Sequence, residues 1–142
     1  MSNSIVEGGV IMTINNDELQ ERFTNVSYLR DLLHSIYSDV SDSYEVLSKH
    51  DGDISYSLSL NYLAMSHQSL LEFKRVYHQY GLEHYEIDPL IDDYEHYKLQ
   101  LKEVITDKDT NTSWLTSALD KFTVTKKSVD EFLNEWIKNM MK

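Results

Sequence analysis

The chain contains no cysteine, one proline and four glycines among its 142 residues, and these shortages remove whole classes of protein. Without cysteine there is no disulfide framework, no thiolate zinc site and no thiol nucleophile, and a reducing compartment suits the chain. Gly8 and Gly9 fall in the opening segment and the other two glycines stand alone, so no glycine-rich loop is available to cradle a phosphate. No apolar run approaches the roughly 20 residues that cross a bilayer. The opening, Met1 to Ile11, has neither the basic start nor the apolar stretch of a secretory signal. The glycosylation patterns at Asn25 and Asn111 therefore carry no weight, and a cytoplasmic protein with no membrane contact is expected.

Basic residues are scarce as well: 13 Lys and Arg stand against 24 Asp and Glu, for a net charge of −11. The excess is concentrated in residues 16–55 and 83–109, each with nine acids and three bases, whereas residues 56–82 and 110–142 each sum to +1. Such a chain repels nucleic-acid backbones and anionic lipid, so direct nucleic-acid binding is not expected. Its acidic surface either serves solubility or meets a basic partner. With 41% hydrophobic and 26% charged residues, the composition is that of one globular domain rather than a disordered chain.

Residues 1–11 differ in character from the rest of the chain. They are either a flexible tail or a translated leader upstream of a true start at Met12, because Glu7-Gly8-Gly9 can be encoded as a ribosome-binding sequence at initiation spacing from Met12. The second reading points to a bacterial or phage gene. In both, residues 12–142 form a single helical domain.

From Asn15 onward the chain follows the helical period. Leu19, Phe23, Val26, Leu29, Leu33, Ile36, Val40, Tyr44 and Leu47 predict a helix over 17–49, roughly 50 Å long, stopped by Asp51-Gly52-Asp53. Ile54 to Leu60 alternates with period two, so strand and helix both stand open there. Beyond it, Leu63, His67, Leu70 and Tyr77 restore the helical period and predict a helix over 57–80 ended by Gly81. Asp88-Pro89 opens a third helix, with aspartate as the cap and Leu90, Tyr94, Tyr97 and Leu101 as its stripe. Trp114, Leu115, Ala118, Phe122, Val129, Phe132, Trp136 and Met140 predict a fourth, either continuous or broken near 124–127. The expected fold class is all-α, an antiparallel four-helix bundle of long amphipathic helices.

Catalytic and metal motifs fall short. No Glu-x-x-His pair of the two-metal bundle enzymes occurs. Glu83-His-Tyr-Glu86 matches half of the motif of helical nucleotide pyrophosphohydrolases, but no Glu-x-x-Asp follows it. Arg30 and His34 are spaced too closely for the arginine–histidine pair of helical ribonucleases. Asp92 and His96, one turn apart, with His84, Glu86 and Asp88 upstream, read better as a solvated acidic helix start than as metal ligands. His67, between Leu63 and Leu70, reads as a hydrogen-bonded core histidine. No catalytic residue, metal or cofactor is expected.

The densest feature is Tyr77 to Tyr97, which holds five of the ten tyrosines and three of the six histidines, with Glu-His-Tyr occurring twice. Tyrosine faces stack on guanidinium groups and carboxylates pair with them, so this composition suits an arginine-rich surface. The candidate partner-binding residues are Tyr85, Glu86, Asp88, Asp92, Asp93, Glu95 and Tyr97. The competing reading packs Tyr77, Tyr94 and Tyr97 in the bundle and leaves the acids solvated. The function expected is therefore not enzymatic. It is a small acidic accessory protein of a phage or mobile element that inhibits or modulates a basic, nucleic-acid-handling protein, as a DNA mimic, an anti-CRISPR or an immunity protein does. A scaffold that oligomerises through its long helices is the alternative, and a small helical enzyme or metal-binding protein the third. The Met140-Met141 end offers a surface for a homodimer.

Overall fold

The helical period of the sequence is realised in the computed structural model, which describes residues 2–7, 10–50 and 52–141. Gly8 and Gly9 of the Glu-Gly-Gly run and Asp51 of the first turn lie outside the described residues. Among the described residues four helices form the fold: α1 (Asn16–Lys49), α2 (Gly52–Gln79), α3 (Asp88–Asp107) and α4 (Ser113–Met140). They pack on one another as an all-α bundle, with α1 close to α2 and α4, and α3 close to α4. The core runs through all four, from Leu29, Leu33 and Ile36 on α1 through Leu70 and Phe73 on α2 to Leu101 and Phe122 on α3 and α4.

The period-two segment is helical, and α2 starts at Gly52 rather than at residue 57. Its buried face begins with small polar residues. Ser55, Ser59, Leu63, Ser66 and Leu70 recur at helical spacing, and all five are buried. An apolar pattern misses the first two because serine is not apolar. Ser59 Oγ donates to the Ser43 carbonyl of α1 at 2.6 Å, so the hydroxyl is satisfied inside the α1–α2 seam. α4 is continuous through residues 124–127, and Trp114 is 76% exposed rather than part of its buried stripe.

Gly81 follows α2 in the left-handed region, at φ 64°. The Leu82 N–H reaches the Tyr77 carbonyl at 3.0 Å and the Gly81 N–H reaches the His78 carbonyl at 3.3 Å, a Schellman closure. The expected aspartate cap of α3 is replaced: Ile87 holds the cap position without a side-chain bond, and Asp88 is already helical.

Ahead of α1, where residues 1–11 read as a tail, two antiparallel strands are described. β1 (Ser2–Glu7) and β2 (Val10–Asn15) pair from Ser2↔Asn15 to Glu7↔Val10. The physical reason lies in Ile5, Val6, Val10, Ile11, Thr13 and Ile14, a density of β-branched residues that favours extended backbone.

Two tyrosines of α3 cross the interior to different helices. The Tyr94 hydroxyl meets Ser66 Oγ of α2 at 2.7 Å, and the Tyr97 hydroxyl meets Ser43 Oγ of α1 at 2.7 Å. Each serine also donates within its own helix, Ser66 to the Leu63 carbonyl and Ser43 to the Val40 carbonyl. Burial pushes the Tyr94 hydroxyl up to about 12 and raises that of Tyr97 further above the ordinary tyrosine value.

A candidate partner-binding surface

The turn between α2 and α3 is built on one side chain, Tyr77. Its hydroxyl accepts from the His84 N–H at 2.8 Å and lies 2.9 Å from the His84 carbonyl. It also makes a short hydrogen bond to the Asp88 carboxylate. One hydroxyl thereby ties both backbone groups of His84 to the first turn of α3. Burial, and then the bond to Asp88, raise the Tyr77 pKa.

His84 carries the exposed part of the turn. Its Nδ1 accepts from the Glu86 N–H at 3.1 Å, which fixes the ring edge-on to the backbone. One neighbour is Phe132 of α4, at 4.4 Å between ring centres, with Trp136 beyond it. Another is Tyr85, stacked at 4.5 Å. Tyr85 is thus the outermost ring of an aromatic series rooted in α4, and it is 71% exposed. An exposed aromatic held by stacking loses little freedom when a partner covers it, which is the property of a binding anchor.

The seven candidate residues separate into surface and interior groups. Tyr85, Glu86, Asp88 and Asp92 are exposed. Glu95 is half-buried, and its two oxygens face Lys74 at 3.8 Å and Lys98 at 3.5 Å, so its charge is largely offset. Asp93 is only 7% exposed and turns into the α3–α4 seam, where Thr125 donates to it at 2.5 Å and the Lys121 ammonium lies at 3.5 Å. Tyr97 is fully buried against Ser43. Asp93 and Tyr97 therefore leave the surface set: both stand on the side of α3 that faces the bundle, where Leu90, Tyr94 and Leu101 are buried.

Folding adds acids that a linear segment does not group together. Glu18, Glu21, Arg22 and Asn25 of α1 line a cleft with Tyr80 and Leu82, which places the acidic first turns of α1 at the end of the bundle that carries the turn. Glu83 belongs to the same end; the His78 ring lies 3.0 Å from it and holds its carboxyl below the ordinary range. Neither the role of His84 nor that of Phe132 was legible in the sequence, since His84 lies in a loop without period and its α4 neighbours are about 50 residues away.

The remaining motifs are absorbed by packing. Arg30 donates to Asn134 at 3.3 Å and His34 lies 3.5 Å from Asp130, so both stand at the α1–α4 contact. Nδ1 of His67 has no hydrogen-bond partner in the protein, which replaces the expected bonded core histidine. Among the described residues no group of three His, Asp or Glu side chains converges as a metal site, and no helix is long and apolar enough to cross a membrane. The fold defines the class, an all-α helical bundle. No protein family, curated protein or solved structure matches the chain.

Proposed function

We propose that the protein is a stoichiometric binding protein, not an enzyme, and that its acidic end, with Tyr85 at the centre, receives a basic partner. The observation that carries this reading is the exposed Tyr85 ring, anchored through His84, in a turn and first helical turns of α3 that also carry the exposed acids Glu83, Glu86, Asp88 and Asp92. The carboxylates supply long-range attraction and the ring a short-range anchor. The partner is a basic, nucleic-acid-handling protein whose phosphate-binding surface the acids occupy. The setting is the cytoplasm of a bacterium, with the protein supplied by a phage or mobile element as an inhibitor of the DNA-mimic, anti-CRISPR or immunity type. Support comes from the small size, the net charge of −11 and the ribosome-binding reading of Glu7-Gly8-Gly9.

The test is a pull-down from a bacterial host, followed by binding kinetics for two double reversals. Glu86→Lys with Asp92→Lys is expected to slow association and to flatten its salt dependence, whereas Asp31→Lys with Glu45→Lys, exposed on α1, has a smaller effect. Tyr85→Ala is expected to raise the off-rate by a factor worth about 1–3 kcal/mol. Equal losses from the two reversals mean diffuse charge attraction, and no loss from either removes this surface as the site.

A further inference from the structure

On a chain of net charge −11, one concave surface has the opposite character. It lies between α2 and α3, the neighbouring pair whose backbones stand further apart than those of α1 with α2 or α3 with α4. The seam is tied in its middle by the Ser66–Tyr94 hydroxyl pair and at its far end by Lys108 and Asp53, 3.9 Å apart. Between the two ties a cleft of about 260 Å³ opens, lined by Leu60, Leu63, Ala64, His67, Lys98 and Lys102.

Three features of this cleft point to one ligand chemistry. Its α2 wall is apolar: Leu60 is exposed, Leu63 is buried beneath it, and Ala64 leaves room beside them. Its α3 wall carries two ammonium groups at helical spacing. Lys98 is engaged with Glu95 at 3.5 Å, whereas Lys102 has no carboxylate partner among the described residues. The third feature is the His67 ring in the lining, whose enclosed Nδ1 has no hydrogen-bond partner in the protein. An apolar wall beside an unpaired ammonium and an imidazole ring selects a molecule with an apolar chain and an anionic head. The cleft falls below the roughly 300 Å³ at which drug-sized sites begin, so the chain is of no more than medium length.

We propose that this α2–α3 cleft is a binding site for a medium-chain aliphatic carboxylate. The chain lies against Leu60, Leu63 and Ala64, and the carboxylate meets the Lys102 ammonium and the His67 ring. The site is remote in sequence from Tyr85 and does not depend on the proposed protein partner.

Octanoate is the probe, added to the full-length protein and followed by amide and imidazole chemical shifts in nuclear magnetic resonance. Saturable shifts confined to residues near 60–67 and 98–102, with a change at the His67 ring, are the expected result. Octylamine, which has the chain with the opposite charge, and acetate, which has the charge without the chain, are each expected to leave these resonances in place. Lys102→Glu is expected to weaken octanoate by about tenfold or more, the effect of losing one charge-assisted hydrogen bond. Ala64→Trp, at an exposed position, fills the cleft and is expected to abolish saturation while the rest of the spectrum keeps its dispersion. The proposal is overturned if octanoate causes no saturable shift, if octylamine reproduces its effect, or if folded Lys102→Glu and Ala64→Trp bind it as the parent does.

Discussion

Replacing Tyr97 by phenylalanine removes one oxygen from the centre of the bundle and leaves the ring in place. That oxygen lies 2.7 Å from Ser43 Oγ and 3.3 Å from the Val40 carbonyl. Ser43 is not orphaned by the change, because its hydroxyl donates to the same Val40 carbonyl at 2.6 Å. The loss is therefore one net hydrogen bond, about 1 kcal/mol, without the larger penalty of a stranded buried group. Ser43→Ala has a similar effect from the other side, since the Tyr97 hydroxyl can then donate to the Val40 carbonyl alone. Both variants remove the same bond, so the double variant is expected to cost about as much as either single one, with a coupling near 1 kcal/mol. Domains of this kind are stable by about 5–15 kcal/mol, so all three variants stay folded and their urea midpoints can be compared at constant slope. Additivity of the two single losses to within about 0.3 kcal/mol would refute the direct pairing.

Val40→Asp places a charge where the side chain is fully buried and is expected to cost more than about 3 kcal/mol, whereas Phe132→Asp, at a half-buried position, costs less; thermal melts with equal losses would contradict the assigned core. Asp93→Ala strands the Thr125 hydroxyl and is expected to cost about 1–3 kcal/mol, while Asp92→Ala stays within about 0.5 kcal/mol; the reverse order in urea unfolding would restore Asp93 to the surface. Because the fold favours neutral Tyr94, the stability from this group is whole below pH 10.0 and lost as the pH rises toward about 12, so the urea midpoint should fall across that window, and less steeply in Tyr94→Phe. Deleting residues 1–11 removes β1, and the helical melt is expected to be unchanged because the bundle begins at Asn16; an unfolded truncation would make the hairpin part of the domain and argue against a start at Met12.

Much of the helical architecture was legible because it is written locally. The stripe from Leu19 to Leu47, the turn at Gly81 and the opening at Asp88-Pro89 each depend on residues within a few positions of one another, and α1 and α3 lie where these signals place them. The start of α2 was not legible from apolar spacing, since Ser55 and Ser59 are too polar to register in it, and Ser59 becomes a core residue only because α1 offers a carbonyl at that point. The same reason divides the candidate surface. Period assigns a residue to a face of its own helix, but whether that face meets water is decided by what packs opposite.

Tyr85 and Asp92 could be placed outside because nothing covers them, and Tyr85 further owes its fixed position to His84 resting on Phe132 of a helix far along the chain. Tyr97 was drawn inward by Ser43, 54 residues away, and Asp93 by Thr125, 32 residues away. The sequence by itself thus determined that there are four helices, the extents of α1 and α3 and the sign of the net charge, all of which follow from local spacing and composition. Only the tertiary structure decided which polar atoms are satisfied inside and which stay at the surface, because the group that satisfies those inside is contributed by another helix.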